Sequence, residues 1–76
     1  MKFPEFSQNL KKARIISGKT QHEVAVLLGI LDNAYQKYEG GDREPNLSRL
    51  RELSDILNVS ADFLLGLTEN PVKPEK

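Results

Sequence analysis

Apolar residues recur along this chain at steps of three and four. Phe6, Leu10 and Ala13 share one face with Ile15 and Ile16 beside it, which predicts an amphipathic helix over residues 6–17 that Gly18 stops. Thr20 followed by Glu23 is the signature of a capping box, so a second helix should run from Gln21 to about Leu28, with Val24, Leu27 and Leu28 as its apolar side. Gly29 allows a left-handed residue there, and Ile30 can drop into the core as the chain turns. A third helix begins near Asp32, with Ala34, Tyr35 and Tyr38 inward and Asp32, Asn33, Gln36 and Lys37 on the opposite arc.

Gly40 and Gly41 end that helix, and Pro45 makes the stretch before it a loop. Asn46 caps a fourth helix over residues 47–57, where Leu47, Leu50, Leu53, Ile56 and Leu57 recur at helical spacing. Ser60 caps a last short helix through Leu65. The pattern is therefore all-α, a compact five-helix domain over residues 1–68. Residues 69–76, with two prolines and no periodicity, are expected as a disordered tail.

The second and third helices are short and joined through Gly29. A pair crossing at about 90–120° brings two backbones together at one point, and Ala25 is small enough to sit there. That is the geometry of a helix-turn-helix. It leaves the third helix projecting, with Asp32, Asn33, Gln36 and Lys37 free to meet base edges in a major groove about 12 Å wide.

Composition narrows the alternatives. Seventy-six residues allow one domain and one small core. The absence of cysteine and the single histidine, His22, leave no thiolate or clustered metal site, and no cofactor is implied. His22 itself reads as a surface residue beside the cap. No apolar run is long enough for a membrane span and no secretory leader is evident, so a cytoplasmic location is expected. No nucleophile, base and orienting group recur together, and no glycine loop has phosphate-binding spacing, so an enzyme is not expected.

Net charge is zero, with eleven basic and eleven acidic residues. Placement is uneven: Lys2, Lys11, Lys12, Arg14 and Lys19 face only Glu5 in the first nineteen residues, while residues 44–62 lean acidic. The basic end could face phosphates, or could be an ordinary solvated helix face.

Helix one from Phe6 to Arg14, "TQHEVAVLLGI", "YQKYEGGDREP" and "LNVSADFLLG" together resemble the lambda-repressor-like family, the Xre or Cro type of bacterial and phage regulator, over about residues 6–68. The resemblance implies the roles of individual residues. Gln21 looks like the glutamine that bonds a backbone phosphate, and Arg43 looks like a second phosphate contact. Asp32, Asn33, Gln36 and Lys37 stand where relatives read bases, Asn33 suited to adenine and Lys37 to guanine. Arg14 and Glu39 match a pair that in relatives bridges helix one to the end of the recognition helix.

Three positions depart from the family pattern. Leu31 replaces the usual Ser or Thr cap, which shifts the expected cap to Asp32. Asp32 puts a carboxylate near the groove, where only a donor such as cytosine N4 suits it. Tyr35 replaces a branched aliphatic, and its hydroxyl must reach solvent, a phosphate or a polar partner; a phosphate contact is the expectation taken forward.

The function implied is a sequence-specific regulator of transcription that binds double-stranded DNA, a repressor acting on an inverted repeat as a homodimer. Phe63, Leu64 and Leu67 are the expected dimer patch. The rival reading is an antitoxin or a protein-binding adaptor built on the same helices, in which Asp32 and Asp42 would be tolerated because DNA is not the main ligand.

Overall fold

A computed structural model describes residues 3–73. The helices in chain order are α1 (Phe6–Ser17), α2 (Gln21–Leu28), α3 (Asp32–Glu39), α4 (Leu47–Leu57) and α5 (Ala61–Leu65). No strand occurs among the described residues. α3 packs on α1 and α2, α4 packs on α1, α2 and α5, and α5 closes back on α1.

The helix starts follow from side chains that satisfy the first free N–H groups. At α2 the Glu23 N–H donates to Thr20 Oγ1 at 3.1 Å, and the Thr20 N–H donates to Glu23 Oε1 at 2.9 Å. Asn46 accepts from the Arg49 N–H at 2.8 Å, and Ser60 from the Phe63 N–H at 3.0 Å. α3 differs. Leu31 is its N-cap and supplies no side-chain bond, while Asp32, expected to cap, is the first helical residue and turns elsewhere.

Between α2 and α3 the chain reverses at Gly29, whose φ of 71° lies in the left-handed region. Its N–H donates to the Val26 carbonyl and that of Ile30 to the Ala25 carbonyl, each at 3.0 Å, closing α2 before α3 leaves it. Arg49 of α4 adds an anchor, its Nη1 donating to the Leu28 carbonyl at 3.2 Å. The end of α2 is thus held by both its own turn and the helix behind it.

The core joins all five helices, with Phe6, Leu10, Tyr35, Leu53 and Leu64 among its fully buried members. Each such Leu or Phe contributes roughly 1.5–3 kcal/mol by leaving water. Several flanking residues fall differently from the pattern. Leu27 is 56% exposed, and Ala25 takes the inward place at the crossing with no exposure at all. Ile15 and Ile16 face solvent, and Leu47 is 84% exposed, because α4 turns its Leu50, Leu53 and Leu57 face inward.

Two expectations are corrected at the C-terminal end. Phe63 and Leu64 are core residues, packed when α5 closes onto α1, so they form no surface patch; Leu67 is exposed. Residues 69–73, expected in a disordered tail, lie back along the α4–α5 junction. The Ser60 N–H donates to the Pro71 carbonyl at 2.9 Å, and Lys73 Nζ reaches Asp55 Oδ1 at 2.8 Å. Residues 74–76 of that tail and residues 1–2, with Lys2, lie outside the described residues.

The crossing at Ala25 generates a test. Ala25→Leu should cost about 1–3 kcal/mol by overpacking, read as a lowered urea midpoint. Val26→Leu, one residue along on the exposed side, should change stability by less than about 0.5 kcal/mol. Equal effects from the two would mean that the crossing is not tight.

Candidate nucleic-acid interface

α3 is amphipathic in a way that separates holding from reaching. Its inner residues Tyr35 and Tyr38 are buried, while Asp32, Asn33, Gln36 and Lys37 are all exposed. The loop after it folds back: the N–H groups of Asp42 and Arg43 both donate to the Lys37 carbonyl, at 2.9 and 3.2 Å. Exposed Arg43 therefore sits against the C-terminal end of the same helix.

What fixes the orientation of this helix is a single carboxylate, Glu39, whose side chain is only 4% exposed. Arg14 of α1 donates to it twice, through Nε to Oε2 at 2.6 Å and Nη2 to Oε1 at 3.2 Å. Gln21 of α2 donates Nε2 to Oε1 at 3.1 Å, and Tyr35 of α3 donates its hydroxyl to Oε2 at 2.5 Å. Arg14 Nη1 also donates to the Lys19 carbonyl at 3.1 Å, which ties the α1–α2 connection into the same cluster.

Burial alone would push the Glu39 carboxyl up. The hydrogen bonds from Arg14, Tyr35 and Gln21, together with the Arg14 charge, outweigh burial and hold it below the usual carboxylate range. The same contacts act in reverse on the donors. Burial, then donation to Glu39, pushes the Tyr35 hydroxyl far above its ordinary value, and the hydrogen bond to Glu39 raises Arg14. The cluster is an ionised carboxylate with charged and neutral donors around it.

Two expected phosphate contacts are changed by this cluster. Tyr35 is fully buried and its hydroxyl is given to Glu39, so it does not reach outward. The spacing of Tyr35 and Glu39, one helical turn apart, was the signal for that partner. Gln21 gives one amide hydrogen to Glu39. Its second N–H remains to serve an outside acceptor.

The structure also brings together a pair that helical spacing does not relate. His22 Nδ1 lies 2.9 and 3.0 Å from the two carboxylate oxygens of Asp32, linking the first turn of α2 to the first residue of α3. Both side chains are open to solvent, 70% and 49% exposed. Ten residues separate them across the turn, so no periodicity announces the contact. Among the described residues, no cluster of His, Asp and Glu is arranged to hold a metal ion.

A family model described as helix-turn-helix matches residues 10–64. The SPbeta prophage-derived HTH-type transcriptional regulator YonR of Bacillus subtilis is 50% identical over 60 residues, covering 79% of this chain and 56% of its own length. The HTH-type transcriptional regulator ImmR of the same species is 43% identical over 68 residues, 90% of this chain and 54% of its own length. The transcriptional repressor RstR of a cryptic phage in Vibrio cholerae is 38% identical over 66 residues, covering 87% of this chain and 56% of its own length. The chain spans about half the length of these curated relatives.

Removing the charge at the centre of the cluster has a calculable direction. Glu39→Gln leaves Arg14 without its counter-ion and should cost about 3–5 kcal/mol in a chemical melt. Because the Glu39 pKa is depressed in the fold, its contribution is complete above the unfolded value near about 4.3 and disappears as pH falls through the lower folded value. The wild-type protein should therefore lose stability more steeply than Glu39→Gln on acidification below about pH 4.3. Parallel acid profiles would show that the carboxylate is not stabilised by its donors.

Proposed function

The chain belongs to the helix-turn-helix family that this model describes, and on that footing we propose that it is a sequence-specific regulator of transcription that binds double-stranded DNA and acts as a repressor. The observation that carries the reading is the division of α3 into an inner arc pinned through Glu39 to α1 and α2, and an outer arc of exposed Asn33, Gln36 and Lys37. A rigid helix that presents amide and ammonium donors matches the edges of adenine and guanine in the major groove.

In this reading Asn33, Gln36 and Lys37 contact bases, and Asp32 stands at the start of the same arc. Gln21, through its remaining amide hydrogen, and Arg43 contact phosphates. The relative RstR, a transcriptional repressor, supports the same role here; the cytoplasm as its place and an inverted repeat as its target belong to this reading alone. Two copies would set their α3 helices about 34 Å apart, in successive major grooves. Exposed Leu67 is the residue of the expected dimer patch that stays open to a partner. With no net charge, affinity would rest on doubling a small number of phosphate contacts, and binding would weaken as salt rises.

Selection from a pool of random duplexes at moderate salt tests this directly. The bound fraction should converge on an inverted repeat, whereas an antitoxin or adaptor would enrich nothing. On the selected duplex, Lys37→Ala should relax preference at one base position, a loss of about 1–3 kcal/mol there. Arg43→Ala should weaken all duplexes alike and flatten the salt slope by about one unit. Identical profiles for the two variants would overturn the division of roles.

A further inference from the structure

We propose that His22 and Asp32 form one composite contact, in which Asp32 positions the imidazole and His22, charged, donates to a DNA phosphate. The inference rests on the DNA-binding reading above. Histidine nitrogens are distinguished by what each one bonds. With Nδ1 at 2.9 and 3.0 Å from both Asp32 oxygens, a carboxylate that can only accept, the Nδ1 proton is held by Asp32 in either charge state of the ring. Nε2 is then the nitrogen left for an outside partner, on a side chain 70% exposed.

The location suits a phosphate. His22 follows Gln21, whose free amide hydrogen is assigned to the DNA backbone, and Asp32 opens the helix that carries Asn33, Gln36 and Lys37. Neutral imidazole offers a phosphate only a lone pair at Nε2, which repels; imidazolium offers an N–H. The bound state therefore favours the charged ring, and association takes up a proton wherever the free ring is neutral. Asp32 also ceases to be an isolated carboxylate opposite phosphates, because its charge is spent on the imidazolium.

The charges that face His22 are few. Asp32 faces it from α3, and Glu23 neighbours it on α2, where Lys19 also bears on Glu23. On α4, Arg49 is engaged with the Leu28 carbonyl at the far end of α2. His22 is the only histidine in the chain, and histidine is the side-chain type whose charge ordinarily changes between pH 5 and 8.

The test uses the whole chain and two probes: the duplex recovered by selection and a random-sequence duplex of equal length, with dissociation constants measured at fixed ionic strength from pH 8 to pH 6. Wild type should tighten on both probes by about three- to tenfold as pH falls. His22→Gln, which can still bond Asp32 but does not titrate, should show a flat profile. Asp32→Asn should keep the base preference of the selected duplex while weakening the pH response. Matching pH profiles for wild type and His22→Gln would overturn the proposal, as would a changed base at one position in Asp32→Asn. Failure of every protein to bind either duplex at any pH would overturn the DNA-binding reading and this inference with it, whereas flat but tight binding overturns only this inference.

Discussion

A carboxylate shielded from water at the meeting point of three helices constrains this domain more than any other group. Moving Glu39 out of solvent costs several kcal/mol, and the attraction of Arg14 offsets that only with good geometry and further hydrogen bonds. Both oxygens have them: Oε2 takes Arg14 Nε and the Tyr35 hydroxyl, and Oε1 takes Arg14 Nη2 and Gln21 Nε2. Among the described residues no buried side-chain nitrogen or oxygen lacks a partner. Such a cluster adds little net stability over apolar packing, but it tolerates only one arrangement of its donors.

That selectivity complements what the core does. Apolar burial brings α1, α2, α3 and α4 together with little regard for the rotation of a helix about its own axis, since hydrophobic contact is non-directional. Tyr35 and Tyr38 would bury nearly as much surface after a small roll of α3. The bonds from Arg14, Gln21 and Tyr35 would not survive one. The outer arc of Asn33, Gln36 and Lys37 inherits its direction from the inner arc, which is how a residue on α1 bears on a surface it does not touch.

Much of this was legible in the chain. Thr20 with Glu23, Asn46 and Ser60 marked three helix starts, Gly29 the turn, and all five helices lie where periodicity put them, although α3 starts after Leu31 without the side-chain cap expected of Asp32. Arg14 and Glu39 became visible as partners through family resemblance, being 25 residues apart. Burial was less legible where apolar residues are adjacent. Leu28 rather than Leu27 faces inward, and Ile15, Ile16 and Leu47 all stay exposed although each fits a helical period, because only the neighbouring helices decide what is covered. The packing of residues 69–73 depends on a carbonyl of Pro71 and one lysine, and composition reports neither. His22 and Asp32 meet only because α2 and α3 cross as they do.

The orienting role of the Glu39 cluster is open to one decisive comparison. Replacing Arg14 by Met, Glu39 by Met and Tyr35 by Phe together removes the charges and the hydroxyl while leaving apolar volume behind, so the helical content seen by circular dichroism should persist. The quantity to measure is the ratio of affinities for a selected duplex and a random one. Loss of the fixed direction of α3 should shrink that ratio roughly tenfold or more, the equivalent of at least one good base contact. A folded triple variant that discriminates as well as the wild-type chain would contradict the account.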